Sequence, residues 1–198
     1  IEPGPALVVA TPGAEPQAPD GYGAALLLDS WALLGRQDLR AAEDTLRRWM
    51  AVAALVHPRA DGGVVAVVAE SAIPTVQALI KWDPVGHAEA ELAARTAVGL
   101  PPAAHIAAVD GDSAAVAAVI AQAALPDDAD LLGPVDLPPG ARRPAGIGDR
   151  DPAIRMLIRV RRDQGPALGA ALRRAVAVRS ARHDDDAVRV QIDPLHVG

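Results

Sequence analysis

The order of elements legible between residues 104 and 192 constrains this chain more than any other feature. The run 104–109 is apolar and reads as a strand. Ser113 is expected to cap a helix that extends to about residue 125. Strands are expected at 131–135 and 153–162, separated by a loop over 136–152 rich in Pro, Gly and Arg. A helix over 166–178 and a last strand over 187–192 complete the series. The order β-α-β-β-α-β is the split βαβ pattern, expected to fold as a two-layer α+β domain.

The front of the chain reads differently. Short apolar runs at 6–10 and 24–29 suggest buried parallel strands with a loop at each C-terminal end. Leu39, Ala42, Leu46, Trp49, Ala53 and Val56 recur at spacings of three and four, which predicts a helix over 38–56 with Asp38 as its cap. His57-Pro58 should end it. A strand over 64–68, a helix from Ile73-Pro74 to Lys81 and a helix over 86–98 follow. In the last of these Ala88, Leu92 and Ala93 form the expected apolar side, and Gly99-Leu100-Pro101-Pro102 stops it. The fold class is therefore α/β over 1–83, a connector over 84–103, and the split βαβ domain over 104–198.

Composition limits what this scaffold can do. Apolar residues are 51% of the chain but aromatics only 2%, with no Phe, so the core must be built from Ala, Val, Leu and Ile. The absence of Cys removes disulfides, thiolate zinc sites and a cysteine nucleophile. No run approaches the ~20 apolar residues of a membrane span, so a cytoplasmic protein is expected, with no membrane partner. A first residue of Ile rather than Met suggests an internal piece or a trimmed chain. Charge is uneven: residues 1–132 carry 7 basic and 17 acidic side chains, whereas 133–198 carry 12 Arg and 8 Asp. An acidic front and an arginine-rich back point to two units with different partners, or to two ordinary solvated surfaces.

The residues of most chemical interest lie in the third strand of the back half. Alternation places Ile154, Met156, Ile158 and Val160 on one face and Arg155, Leu157, Arg159 and Arg161 on the other. Same-face residues lie ~6.6 Å apart along a strand, close to the spacing of neighbouring phosphates, so the arginines could grip a nucleic-acid backbone without reading its sequence. The competing reading is a solvated face whose arginines pair with nearby Asp. Arg142, Arg143 and Arg150 in the loop, with Arg173, Arg174, Arg179 and Arg182 on and after the last helix, could extend a basic surface. This half has no aromatic side chain for base stacking, so backbone contact is expected instead.

Other chemistry is poorly supported. His183-Asp184-Asp185-Asp186 has no calcium-loop spacing and reads as a solvated turn. The remaining histidines, including His105, are isolated and read as structural, and no metal site is expected. No serine sits in a G-x-S-x-G elbow, Gly146-Ile147-Gly148 lacks the rest of a dinucleotide loop, and no phosphate-binding G-x-x-x-x-G-K-[ST] occurs. No catalytic residue is assigned.

Three blocks, in order, resemble the PriA family of primosomal replication-restart proteins. The first is Leu28-Asp29 followed by Asp38-Leu39-Arg40-Ala41-Ala42-Glu43, similar to the family's stretch before its last helicase motif. The second is Ala90-Glu91-Leu92-Ala93-Ala94-Arg95 with Leu100-Pro101-Pro102. The third is Leu132-Gly133-Pro134-Val135 with the terminal Ile192-Asp193-Pro194. The resemblance implies a remnant of a RecA-like second helicase lobe over 1–83 and the family's C-terminal domain over 104–198. The family's last helicase motif, Q-V-A-G-R-A-G-R, aligns with Ala51-Val52-Ala53-Ala54-Leu55-Val56-His57-Pro58, so Ala51 replaces the Gln and Leu55 and Pro58 replace the two arginines. The upstream G-T-Q-M-x-x-K-G is eroded to Ala10-Thr11-Pro12-Gly13-Ala14-Glu15-Pro16. Arginines of this kind stabilise charge developing on a γ-phosphate, which Leu and Pro cannot do.

The resemblance implies binding of branched or forked DNA and reloading of the replicative helicase, without ATP-driven unwinding by this chain. ATP and zinc are cofactors of the family; none is expected in this stretch, and the family's zinc-binding cysteines would lie upstream or be absent. Implied partners are forked DNA, single-strand DNA-binding protein, and primosome and helicase-loading proteins, in a cytoplasmic, nucleoid-associated setting. Two other readings stay open. One is an active ATP-dependent 3′-5′ DNA helicase whose working motifs lie upstream. The other is a docking module for the acidic tail of single-strand DNA-binding protein, with Arg173 and Arg174 as contacts.

Overall fold

The computed structural model describes residues 4, 6–28, 30–148, 151–182 and 187–197. The chain divides into two compact units, Ile1–Glu91 and Leu92–Gly198. Asp29, Arg150 and the 183–186 acidic run lie outside the described residues.

In the first unit, β1 (Ala24–Leu27) pairs in parallel with β2 (Val64–Val67), Ala24 opposite Val64 and Leu27 opposite Val67. Helices α1 (Ser30–Leu34), α2 (Ala41–Ala53) and α3 (Pro74–Lys81) accompany this pair. Leu27, Leu46, Trp49, Val76, Ala78 and Leu79 form its core. Burying each large side chain of this kind stabilises the unit by roughly 1.5–3 kcal/mol. The 6–10 run is not a strand: Leu7 and Val9 are about nine-tenths exposed, and no described strand offers that stretch a backbone partner. Helix α2 begins at Ala41, later than expected, because Asp38 uses its carboxylate on the Arg40 amide (2.8 Å), making a turn ahead of the helix. Helix α4 (Pro84–Val98) starts two residues earlier than expected, and its Ala88, Leu92 and Ala93 are exposed. Its buried residue is His87, whose Nε2 lies 3.2 Å from the Thr75 hydroxyl.

The second unit has the expected element order. Strands β3 (Ala104–Gly111), β4 (Asp130–Asp136), β5 (Ile154–Arg161) and β6 (Val188–Ile192) form an antiparallel sheet in the order β4-β5-β3-β6. Helices α5 (Ser113–Gln122) and α6 (Gly165–Ala181) connect them. Val116, Val119, Leu168, Leu172 and Ala175 pack against Ala107, Val109, Ile158 and Val160, every one at most 2% exposed. The small Ala107 on β3 leaves room for the helices on this face, so a core without Phe packs with Val and Leu. The cap of α5 is Asp112 rather than Ser113. Its carboxylate accepts from the Ala114 and Ala115 amides at 2.8 and 3.0 Å, and Ser113 is the first helical residue.

The opposite face of this sheet is also covered. Ile106, Ala108 and Asp110 of β3 are at most 1% exposed. Loop residues 140–142 and tail residues 194–196 meet around a small cavity there. Strand β4 is at the sheet edge and shifts register at Gly133-Pro134, where Gly133 has φ +116°. A side chain there would lie 3.1 Å from the Arg155 carbonyl, so glycine makes this bulge possible.

Candidate nucleic-acid interface on β5 and the 136–152 loop

The alternation read from the sequence holds: Ile158 and Val160 face the helices, and the arginines occupy the other face. Register then decides what each arginine meets. Arg155 stands opposite Asp110 of β3. Its Nε donates to Oδ1 at 2.8 Å and its Nη2 to Oδ2 at 3.0 Å, while Nη1 donates to the His196 carbonyl at 2.9 Å. The two side chains are 2% and 1% exposed. Arg155 is therefore a buried structural residue, not the open end of a solvent-facing row. A fully desolvated pair persists only when geometry and further hydrogen bonds offset the loss of hydration, as this fork-on-fork arrangement does.

Arg159 stands opposite Asp130 of β4, and its Nε and Nη2 both donate to Oδ2, at 3.1 and 2.8 Å. Its Nη1 also donates to the Val98 carbonyl at 3.2 Å, beside Gly99, which ends α4 with φ +64°. Arg161 is the most open of the three, 65% exposed, within 3.1 Å of Asp128 and 3.3 Å of Asp163. The Asp163 hydrogen bond, reinforced by the charges of Asp128 and Asp163, raises the Arg161 pKa. The same hydrogen bond holds the Asp163 carboxyl below its ordinary value. Exposed pairs of this type are screened by solvent and contribute little, so a phosphate could replace the carboxylates at Arg161 far more readily than at Arg155.

In the loop, Arg142 is exposed and Arg143 half-buried. The Arg143 Nη2 donates to the Asp151 carbonyl, and its Nε is buried without a partner among the described residues. On α6, Arg173 and Arg174 are exposed. Arg174 and Arg161 line one cavity of about 680 Å³ with Leu125, Pro126, Asp127 and Asp128. The structure thus brings Arg161 together with Arg174 and brings Arg155 together with Arg142 around the smaller cavity, dividing the expected row between two places.

One residue escaped the sequence reading, and another entered it only as part of the terminal block. Arg189 on β6 stands opposite Asp110 on the side away from Arg155, its Nη1 3.7 Å from Oδ2. The alternation of Val188, Arg189, Val190 and Gln191 could have placed it on the same face. Asp193 receives the Ile106 amide at 3.1 Å and lies 2.8 Å from His105 Nδ1, so the terminal Ile-Asp-Pro block clamps the tail onto β3. The run aligned with the last helicase motif, 51–58, covers the end of α2 and the turn after it, where Val56 bridges to Tyr22. Among the described residues no group of three or more His, Asp or Glu could hold a metal ion, and no helix is long and apolar enough to cross a membrane.

The split βαβ architecture of the second unit coincides with a family match: residues 96–195 fit the primosomal protein N C-terminal domain. The chain therefore belongs to the primosomal protein N (PriA) family. It is 70% identical, over its whole length, to a protein named probable replication restart protein PriA in Mycobacterium tuberculosis and to the protein of the same name in Mycobacterium bovis. It is 69% identical over 98% of its length to the counterpart in Mycobacterium leprae. The chain spans 31% of the length of the first two relatives and 30% of the third.

Proposed function

We propose that the protein acts in replication restart by holding branched or forked DNA while the replicative helicase is reloaded, and that its second unit supplies part of the grip. Family membership carries this reading, supported by the concentration of 12 Arg against 8 Asp in residues 133–198. The contacts would come from Arg161, Arg159 and the loop residues Arg142 and Arg143. Arg155 is left out because its guanidinium is engaged and buried. Binding of this kind is electrostatic and indifferent to sequence. The test is binding of the chain to a fluorescent three-way fork across a salt series. Tight binding with a steep salt slope, stronger for fork than for duplex, supports the reading, and no binding at low salt defeats it.

The same reading holds that Leu55 and Pro58 leave this chain without the arginines of the last helicase motif, so it works as a loader rather than a motor. No cofactor is required of this stretch for that role, and a replication function places the protein with the nucleoid in the cytoplasm. Steady ATP turnover by the intact protein, stimulated by forked DNA, would overturn the loader reading in favour of an active 3′-5′ helicase.

A second reading concerns a protein partner. The 680 Å³ cavity has an apolar lining of Leu125, Pro126, Ala167 and Ala170, with Arg161 and Arg174 beside Asp127 and Asp128, so an acidic peptide would have to displace Asp128 from Arg161 to dock there. The exposed Arg174, with Arg173 alongside on the helix, would then hold an acidic peptide such as the tail of single-strand DNA-binding protein. Arg174→Glu is expected to abolish binding of a fluorescent acidic peptide, and unchanged binding removes this dock. Primosome and helicase-loading proteins would use other surfaces.

A further inference from the structure

The sheet face turned away from α5 and α6 holds a second cavity, of about 230 Å³. Its walls come from the loop, two strands and the tail: Arg142 in the loop, Arg155 on β5, Arg189 and Gln191 on β6, and Pro194 and His196 in the tail. The volume falls below the 300 Å³ or so at which small-molecule sites begin, so the cavity suits one small charged group rather than a base or a cofactor.

Charge defines that group. Both oxygens of Asp110 are taken by Arg155 at 2.8 and 3.0 Å. Arg189 reaches the same carboxylate only at 3.7 Å, and its Nη1 donates to the Arg142 carbonyl at 3.5 Å, a long hydrogen bond. The Arg142 guanidinium forms no ion pair among the described residues. Three arginines thus line the cavity, and the one carboxylate beside them is committed to Arg155. Arg142 and Arg189 retain unused donors in a planar fork that matches the oxygens of a phosphate. The Gln191 amide adds a neutral donor on the same wall.

We infer that this cavity is a phosphate-binding site, with Arg142 and Arg189 as its ligating side chains, filled by one phosphodiester of the DNA backbone. The choice of DNA as the source rests on the proposed function; the phosphate chemistry rests on the cavity. Arg155, held by Asp110 and the His196 carbonyl, forms the wall and joins sheet to tail.

The test measures binding of the 198-residue chain to a fluorescent three-way fork across a salt series. The variants are Arg189→Gln, Arg142→Gln, the double variant, and Arg47→Gln as a control for lost charge in the other unit. Thermal melts with and without inorganic phosphate run beside it. Arg142 is exposed, so its variant keeps the test valid if Arg189→Gln perturbs folding. Arg189→Gln and Arg142→Gln are each expected to make the slope of log K against log salt about 0.9 shallower, the loss of one phosphate contact. The double variant should be no shallower than the worse single, since both arginines hold one phosphate, and the control should match wild type. Fork binding by wild type that neither variant alters overturns the site and leaves the DNA reading to other arginines. Absence of fork binding by wild type defeats the DNA reading itself. Protection by inorganic phosphate that Arg142→Gln abolishes would then give the cavity to free phosphate and overturn the backbone occupant, while no protection overturns the site altogether.

Discussion

Arg155 and Arg161 share one face of one strand, yet their side chains are 2% and 65% exposed. Both sit beside carboxylates at short range, Arg155 at 2.8 Å from Asp110 and Arg161 at 3.1 Å from Asp128. What separates them is water. At the Arg155 end the loop and tail exclude it, so neither charge can be left alone. At the Arg161 end solvent competes with each carboxylate, so the pair can open for another anion. Residue type and face do not distinguish an arginine that builds from one that binds; the covering over it does.

The largest test of that contrast is Arg155→Met, which leaves the buried Asp110 charge with Arg189 alone, at 3.7 Å. Breaking a buried pair costs about 3–5 kcal/mol, read as a fall in the urea midpoint, and Asp110→Leu added to it should recover most of the loss. A cost for Arg155→Met no larger than that of an exposed pair would erase the contrast. Leu172→Ala, fully inside the helix-facing core, is expected to cost about 2–5 kcal/mol, which sets the scale for packing on the other side of the same sheet. Arg159→Ala, at the half-covered middle of the strand, should cost no more than about 1 kcal/mol in the same unfolding measurement.

Arg161→Ala should move the midpoint least of these variants and show most clearly in a titration. Asp163 is held below its ordinary value by the Arg161 hydrogen bond, so that interaction supports the fold above the ordinary carboxylate value near 3.8 and is lost only as pH falls through the lower folded value. Without Arg161 the Asp163 resonance should titrate at higher pH, approaching the ordinary value, in a carboxyl NMR titration. An unmoved Asp163 would mean that the pair does not form in solution.

Much of the second unit was legible because its signals are local. The alternation 154–161 set the inward face of β5 correctly, and the breaks around 99–103 and 136–152 fell where the connections are. The site was less legible because it depends on register between strands far apart in sequence. Nothing near Arg155 announces Asp110, which is 45 residues away. The small cavity likewise needs loop, β6 and tail together, so Arg189 carried no local mark. The 6–10 run failed for a related reason: an apolar pattern gives strand propensity, but a strand needs a neighbour to receive its hydrogen bonds. The cap of α5 was missed by one position because Asp112 and Ser113 are both good capping residues and only backbone geometry selects between them.

The bulge at Gly133-Pro134 bears on how the protein survives its own concentration in a cell. Strand β4 is an outer rail of the sheet, with Leu131, Leu132 and Val135 between 39% and 50% exposed. A straight rail of that composition would invite a second molecule to zip alongside. Here the rail is broken in the middle by a kink and a residue with no amide proton to share, and Asp130 and Asp136 stand at its two ends. The apolar side chains can stay on the surface because the backbone beside them offers no continuous template for stacking copy on copy.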